Sequence, residues 1–224
     1  AKTPASRQTL LFSATYPDGI EEISNAVQRD TVNIRVESKQ DTPNIQQLFF
    51  EVAKNERVEV LLKVIAYYQP ESSLIFCNTK LQCDQLLKEL RQHDLHALAL
   101  HGDLEQFERD QVLAQFSGKS SSILIATDVA ARGLDVKELA AVINFELSRD
   151  PEVHIHRIGR TARAGNTGLA VSLFTASEKR RLQEIEEYQG SAAAISNTAI
   201  LKAPKNFKLY PPMVTIFING GRKD

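Results

Sequence analysis

Apolar and polar residues alternate along the middle of the chain in blocks that predict strands and helices by turns. Short apolar runs such as 122–126 are typical of buried strands, whereas Leu86, Leu87 and Leu90 in 81–90 recur at helical spacing. The predicted strands are 47–52, 73–77, 97–100, 122–126, 141–145 and 170–174, and the predicted helices are 56–68, 81–90, 106–116 and 177–188. Near-continuous apolar strands separated by helices indicate an α/β fold with a parallel sheet covered on both faces. In such folds functional groups lie at the carboxyl ends of the strands.

The two ends of the chain carry isolated elements. Residues 8–15 predict one buried strand, and a helix with an apolar stripe of Ile20, Ile23 and Val27 follows the breaker 17–19. At the other end, 210–212 is typical of a linker and 213–218 of a strand. A lone strand and helix cannot bury both faces. We therefore expect a middle piece of a longer protein; the alternative is that both ends pack on the central domain.

Composition excludes several classes of protein. The chain has 224 residues, of which 42% are hydrophobic and 25% charged, as in ordinary folded proteins. Its 27 basic and 28 acidic residues nearly cancel, so nucleic-acid binding would need local clustering of charge. No run of about 18 apolar residues predicts a membrane span. Two cysteines, Cys77 and Cys83, cannot build a disulfide framework, which favours a reducing, cytoplasmic location.

Polar loops follow three of the predicted strands. They are 78–80, then 101–103 with Gln106 and Arg109, and 127–128 leading to 132–135. All three should open on the same edge of the sheet, where hydroxyl, amide and cationic groups suit phosphate oxygens. Together they predict a phosphate-rich ligand.

The densest cationic feature is the segment 156–165, which holds Arg157, Arg160 and Arg163 and no acidic residue. If the segment is helical, Arg160 and Arg163 project from one face, where two guanidinium groups repel unless an anion lies between them. The segment is too small and polar to predict a core helix. The alternative is a solvated face whose arginines pair with Asp or Glu.

Four other patterns are weak. Gly118-Lys119-Ser120 resembles the end of a phosphate-binding loop but lacks its first glycine, so we expect a surface turn. His154 and His156 have the spacing of metal ligands on a strand, yet no third ligand is near. Cys77 ends an apolar strand and is expected in the core. Ser13 has no neighbouring base that would make it a nucleophile.

Taken in order, these segments resemble the DEAD-box RNA helicases. Ser13-Ala14-Thr15 matches motif III of that family, and 74–80 resembles motif IV. The loop 101–103 with Gln106 and Arg109 is similar to the QxxR element, and the remaining two matches are 126–135 to motif V and 156–165 to motif VI. The resemblance implies a RecA-like fold for the central domain. It is strongest to a bacterial branch whose extra RNA-recognition domain targets large-subunit ribosomal RNA.

The resemblance also implies the domain organisation. Residues 1–40 would be the tail of a first RecA-like domain with motif III and a linker, and 41–190 the second RecA-like domain. Residues 191–212 would be a second linker, and 213–224 the start of an RNA-recognition domain. We expect the strand in 8–14 to be disordered without its own sheet, or to pair with an exposed strand edge.

Roles for single residues follow from the same resemblance. Arg160 and Arg163 would be arginine fingers for ATP, Gly133 and Asp135 would contact its ribose side, and His156 would couple motif VI to Ser13 and Thr15 in motif III. Such a finger is worth about 10³–10⁵ in rate. The residues implied to hold the RNA sugar–phosphate backbone are Asn78, Thr79, Lys80, Gly102, Arg109 and Thr127.

The remaining implications concern what the sequence does not contain. The phosphate-binding loop and the carboxylates for Mg²⁺ are absent from the 224 residues, so we expect them on a first RecA-like domain and expect this chain alone to hydrolyse no ATP. Two alternatives stay open. The chain could be a non-catalytic adaptor with a RecA-like fold, or belong to a DNA helicase of the same superfamily.

Overall fold

The computed structural model describes residues 3–4, 6–12, 19–34, 45–132, 139–162 and 167–201. The chain divides into two compact units, Ala1–Asp41 and Thr42–Asp224. Among the described residues, none of the helices has the length and apolar character needed to cross a bilayer.

The first unit contains one described helix, α1, which spans Ile20–Val27 as the sequence predicts. Its apolar stripe is largely exposed, with Ile23 at 60% and Val27 at 44%. The strand predicted over residues 8–14 is wrong for its described part, because 8–12 adopt no strand. Residues 13 and 14 lie outside the described residues. An apolar run forms a strand only where another strand completes its hydrogen bonds, and none of the described residues of this unit provides one.

The second unit is a parallel sheet of seven strands in the order β3-β4-β2-β5-β6-β1-β7. The strands are β1 (Ile45–Glu51), β2 (Ser73–Phe76), β3 (Ala97–Leu100), β4 (Ile123–Ala126), β5 (Ala141–Asn144), β6 (Gly168–Phe174) and β7 (Ile195–Ser196). The helices are α2 (Arg57–Tyr68), α3 (Lys80–Gln92), α4 (Gln106–Ser117), α5 (Asp128–Ala131), α6 (Pro151–Ile158) and α7 (Lys179–Gln189). The α/β parallel sheet and its strands β1–β6 confirm the sequence-based prediction.

Helices cover both faces of this sheet. On one face, α2 and α3 bury Leu61, Val64 and Leu86 against Ile75 and Ile125. The opposite face carries Phe116 of α4 packed with Leu74 and Leu124, and Leu182 of α7 packed with Phe174 and Phe49. The alternating strand residues therefore separate into two cores. This two-sided burial explains why the strands are apolar throughout.

The chain after α7 differs from the prediction of a linker over 191–212. Ile195–Ser196 pairs with Phe49 and Phe50 of β1, and the Phe49 N–H donates to the Ala194 carbonyl at 3.1 Å. Leu201 is 4% exposed and belongs to the core on the α2 and α3 face. The stretch is short and rich in alanine, so its pattern predicts no strand; the unpaired side of β1 supplies the partner. Residues from 202 onward, including the predicted strand 213–218, lie outside the described residues.

Candidate functional site

The polar loops after β2, β3 and β4 lie together, because these strands are neighbours in the sheet. We call the edge where the strands end the carboxyl edge. Thr127 donates its N–H to the Leu100 carbonyl at 3.3 Å, which joins the ends of β4 and β3. Lys80 Nζ lies 2.7 Å from Asp103 Oδ2, which joins the β2 and β3 loops. The structure therefore brings the three predicted loops together at one edge.

The two ends of the Lys80–Asp103 ion pair are exposed, at 59% and 58% of their side chains. The Lys80 ammonium donates a hydrogen bond to the Asp103 carboxylate and lowers the pKa of that carboxyl below its usual value. Lys80 is therefore a surface cation that already has one carboxylate partner. A phosphate would have to compete with Asp103 or share the ammonium with it.

Asn78 and Thr79 use their side chains within the protein. Asn78 Nδ2 donates to the Leu147 carbonyl at 3.0 Å, and its Oδ1 accepts from Arg157 Nη2 at 2.9 Å. Thr79 is the N-cap of α3, where its Oγ1 accepts from the Gln82 N–H at 3.2 Å. Both side chains hold the loop in shape, and the loop shape positions Lys80.

The loop after β3 combines a buried histidine with an open glycine. His101 is 6% exposed, and its Nε2 lies 3.1 Å from Asp84 Oδ1 on α3. A Cβ added at Gly102 would meet no protein atom within 4 Å. Packing of the described residues therefore does not require glycine at this position, whereas a ligand that approaches the backbone closely would.

Arg109 lies half-buried in the first turn of α4. The start of that helix is fixed by a capping box, in which Glu105 and Glu108 each accept from the other's backbone N–H. Gln106, the other member of the predicted pair, donates from Nε2 to Asp110 Oδ1 at 2.8 Å. Arg109 is therefore held next to the loop that contains Gly102.

The described part of the segment 156–165 is not one helix, so the condition under which Arg160 and Arg163 would project from one helical face is not met there. Helix α6 begins after the N-cap Asp150 and ends at Ile158. Thr161 forms a bridge with Leu139, and its Oγ1 donates to the Leu139 carbonyl at 2.6 Å. This contact directs the backbone away from the helix axis, so α6 ends before Arg160. Arg163 lies outside the described residues.

Arg157 is buried, which contradicts the expectation that this segment is too polar for the core. Its side chain is 1% exposed, and its guanidinium carbon lies 5.0 Å from the centre of the Phe76 ring. Arg157 Nε lies 2.6 Å from Asp128 Oδ1, and Nη2 lies 2.8 Å from Asp128 Oδ2. Arg157 therefore pairs with an acidic residue as the alternative expects, but inside the domain and not on a solvated face.

Further acceptors complete the coordination of this guanidinium. Nη1 donates to Asn144 Oδ1 at 3.2 Å and to the Glu146 carbonyl at 2.9 Å, and Nη2 reaches Asn78 Oδ1. We call Arg157 with these partners the Arg157 cluster; its members are Arg157, Asp128, Asn78, Asn144 and the Glu146 carbonyl. The cluster joins the loops after β2, β4 and β5. Sequence reasoning gave no role to Asp128 or Asn144, although a buried arginine requires such partners.

The two halves of the predicted site lie at different places on the domain. Thr127 and the other loops described above are at the carboxyl edge, whereas Thr161, next to Arg160, contacts Leu139 just before the start of β5. Helix α5 begins at the carboxyl edge with Asp128, which bonds to Arg157 on α6. The Arg157 cluster therefore connects the edge loops to the segment that leads to Arg160.

Two histidines of α6 have opposite surroundings. His156 is half exposed, with its Nε2 4.0 Å from Glu152. His154 is fully buried, and its ring stacks on Phe49 with centroids 5.9 Å apart. Neither of its ring nitrogens has a hydrogen-bond partner among the described residues. Burial, together with the charge of Arg157, lowers the pKa of His154 to about 4. Both histidines lie on a helix rather than a strand, and the described residues contain no group of three potential metal ligands.

Three other sequence-based predictions can be compared with the structure. Cys77 is buried in the core as expected, and the neighbouring Cys83 thiol and burial raise its pKa well above the usual value. Residues 118–120 form an exposed turn after α4, with Lys119 in the left-handed conformation at φ 58°. The predicted nucleotide residues Gly133 and Asp135, and Ser13 and Thr15 of motif III, lie outside the described residues.

Comparison with known proteins agrees with this architecture. Residues 54–165 match the family described as the helicase conserved C-terminal domain. The ATP-dependent RNA helicase DbpA of Escherichia coli strain K12 is 46% identical over 98% of this chain and 48% of its own length. The chain thus spans about half the length of the curated relatives it matches.

Two solved structures show the same fold. The C-terminal domain of the DEAD-box protein Dbp5 has a TM-score of 0.65 and 32% identity, covering 70% of this chain and 92% of that one. Dbp5 of S. cerevisiae bound to RNA and ADP BeF3 has a TM-score of 0.78 and 30% identity, covering 87% of this chain and 52% of that one. With a RecA-like parallel sheet, a matching family model and these relatives, the chain belongs to the DEAD-box helicase family, in the part that forms the C-terminal RecA-like domain.

Proposed function

We propose that this chain is the second RecA-like half of an ATP-dependent RNA helicase, an RNA-dependent ATPase that separates duplexes locally. The observation that carries the proposal is the meeting of three polar loops at the carboxyl edge, joined through the Arg157 cluster to the segment that leads to Arg160. The structure of the yeast relative Dbp5 holds RNA and ADP BeF3, which supports RNA and a nucleotide as the ligands of this chain.

The carboxyl edge supplies groups that suit one strand of RNA. Lys80 and Arg109 offer cations, the Thr127 hydroxyl offers a hydrogen-bond donor, and the open backbone at Gly102 allows close approach. Such groups bind the sugar–phosphate backbone and therefore give affinity without sequence preference. Asn78 and Thr79 contribute by holding the loop rather than through free side-chain groups.

ATP with Mg²⁺ would supply the phosphoanhydride whose hydrolysis powers the cycle. The donor set of this chain fits the phosphate part, because Arg160 and Arg163 carry permanently charged planar guanidinium groups. Arg160 and Arg163 would stabilise charge that develops on the phosphates, and Asp135 and Gly133 would hold the ribose side. We place the Mg²⁺ ligands on a first RecA-like domain. The ATP site would be complete when the two RecA-like domains close on each other. If bound RNA favours that closure, ATP turnover would depend on RNA.

The test uses the intact protein that contains this chain. We expect Arg160→Ala to abolish RNA-stimulated ATP turnover while RNA affinity stays within twofold, because the guanidinium acts on the nucleotide. Arg91→Ala, which removes the same charge from the exposed last turn of α3, is the control and should keep normal turnover. Near-normal turnover of Arg160→Ala would contradict the finger assignment.

A second measurement concerns the 224 residues by themselves. We expect them to bind single-stranded RNA and to hydrolyse no ATP with or without it. RNA-stimulated ATP turnover by this chain alone would contradict the proposal that ATP hydrolysis needs groups from both RecA-like domains.

The wider setting is also a proposal. The resemblance of the sequence to a bacterial branch of the family whose extra domain targets large-subunit ribosomal RNA supports a role in assembly of that subunit, with its RNA as the partner. The free thiols of Cys77 and Cys83 support a cytoplasmic location. Comparing ATP turnover stimulated by large-subunit ribosomal RNA with that stimulated by an unrelated structured RNA tests the first point.

A further inference from the structure

The loop after β5 is a direct neighbour of the loop that contains Asn78. Asn78 donates from its backbone N–H to Glu146 Oε2 at 3.4 Å and from Nδ2 to the Leu147 carbonyl at 3.0 Å. Strand β5 lies beside β2 on the side away from β4. The carboxyl edge therefore continues past the three loops that the sequence singles out.

Arg149 projects from a rigid part of this β5 loop. Leu147 and Ser148 before it are buried, and Ser148 Oγ donates to the Asp150 carbonyl at 2.8 Å. The Asp150 carboxylate is occupied, because its Oδ1 caps α6 by accepting from the Glu152 N–H at 2.8 Å. Arg149 is exposed, and no described residue forms a hydrogen bond or ion pair with it. The backbone at Arg149 is thus fixed while its guanidinium remains available.

A crevice follows along the same edge, between β6 and β1. The chain after β1 passes to α2 on one face of the sheet, and the chain after β6 passes to α7 on the other. In open parallel sheets, ligands bind where neighbouring strands send their connections to opposite faces. The crevice has a volume of about 450 Å³ and is lined by residues 51–54 and 175–177.

The charges around the crevice leave one cation without a described partner. Glu51 pairs with Lys179 at 3.0 Å. Lys54 is exposed, and no described residue pairs with it. Thr175 Oγ1 donates to Glu178 Oε2 at 2.9 Å and lies 2.9 Å from Ser177 Oγ, so both hydroxyl groups are engaged within the protein. The Lys54 ammonium is therefore the group of this crevice that suits a phosphate.

We propose that the RNA surface extends along the carboxyl edge beyond β2, with Arg149 and Lys54 as further contacts to the sugar–phosphate backbone. The proposal rests on the proposed function, because it continues the RNA site at the β2 loop. Strands β2 and β1 are three strand spacings apart, about 14 Å. A stacked strand places a phosphate about every 3.4 Å, so roughly four phosphates span this part of the edge.

The test measures how RNA affinity depends on salt. The 224-residue chain is titrated with fluorescein-labelled oligouridine and oligoadenosine of about 12 nucleotides, between about 50 and 200 mM salt. Each phosphate contact to a single strand contributes about 0.7 to the slope of log affinity against log salt. We expect Arg149→Ala and Lys54→Ala each to reduce the slope by about 0.7, equally for both RNAs, and the double variant by about twice that.

The control is Arg91→Ala, which should leave the slope unchanged. Arg91 is an exposed arginine in the last turn of α3, so it lies toward the opposite edge, where β3 begins. Equal thermal unfolding of all variants would show that the fold is intact.

The outcomes separate this inference from the proposed function. If Arg109→Ala weakens binding while Arg149→Ala and Lys54→Ala behave like Arg91→Ala, the RNA site stands and its extension is wrong. If the wild-type chain shows no salt-dependent RNA binding, the RNA site itself is wrong and its extension falls with it. A loss for one RNA only would also overturn the inference, since backbone contacts do not distinguish bases.

Discussion

Arg157 and Arg149 belong to the same stretch of chain around the start of α6, but their guanidinium groups have opposite surroundings. Arg157 is 1% exposed and surrounded by acceptors from three loops. Arg149 is exposed and has no described partner. Arg157 fixes the positions of the loops, whereas no described residue pairs with the guanidinium of Arg149. Arginine content therefore does not reveal which arginines meet a ligand; burial and partners do.

The strongest way to break this contrast is Arg157→Met. It leaves the Asp128 carboxylate without its cation, and removing one partner of a buried pair costs about 3–5 kcal/mol. Because the Asp128 side chain is 30% exposed, water compensates in part, and we expect a loss near the low end, about 3 kcal/mol, in urea unfolding.

The control for Arg157→Met is the double variant with Asp128→Asn. It should recover part of the lost stability, since the uncompensated charge is removed. A loss of less than about 1 kcal/mol for Arg157→Met would contradict the structural role, because surface substitutions have effects of that size.

His154 sharpens the contrast through pH. Its folded-state pKa of about 4 is below the usual 6.5, so the unfolded chain binds a proton that the folded chain does not. Stability is then complete above about pH 6.5 and falls as the pH drops toward 4, by about 3 kcal/mol in all. We expect His154→Leu to remove this fall, as measured by urea unfolding at a series of pH values.

His156→Leu is the matched control for that experiment, because His156 lies on the same helix and is half exposed. It should leave the fall between pH 6.5 and 4 in place. An unchanged pH dependence in His154→Leu would show that another group is responsible.

Gly168 and Gly102 show the same difference between a position enclosed by protein atoms and one that is open. A Cβ at Gly168 would lie 2.4 Å from Thr161 Oγ1 and 2.6 Å from the Ala162 nitrogen, so Gly168→Ala should cost about 1–3 kcal/mol of stability. Gly102→Ala should change stability by less than about 0.5 kcal/mol, since its Cβ would meet no protein atom. If the proposed function is correct, Gly102→Ala should instead weaken RNA binding. A loss of stability with unchanged RNA affinity would contradict a role of Gly102 in RNA binding.

A smaller loss of stability than that of Gly168→Ala is expected at Thr79, which belongs to the edge loops yet acts within the protein. Thr79→Ala removes the N-cap of α3 and should cost about 1 kcal/mol in thermal or urea unfolding. Thr79→Ser keeps the hydroxyl and should restore the stability. If both variants were equally destabilised, the hydroxyl would not be the group that matters.

Particular residues show how far the sequence predicts this structure. The apolar strand 123–126 and the helical spacing of Leu86 and Leu90 arise from burial, which the pattern of residue types records directly. The order of the strands brings together the loops that contain Asn78, Gly102 and Thr127, and the expectation that they share one edge is confirmed.

Other features depend on partners far apart in the chain. The end of α6 depends on the contact of Thr161 with Leu139, and the burial of Arg157 depends on Asp128 and Asn144. Strand β7 depends on the free side of β1. A local sequence pattern does not contain such partners, so it could not predict where α6 ends or that the linker expected from residue 191 would include a strand.

The ion pair between Asp128 and Arg157 also limits how this sequence can diverge. Replacing either residue alone passes through a state with an unmatched charge inside the domain, and that state loses much of the marginal stability of a folded protein. Natural variants that fold should therefore keep both residues or exchange both together. The two positions are expected to vary as one unit, whereas the stability of the fold places no such condition on an exposed position such as Arg149.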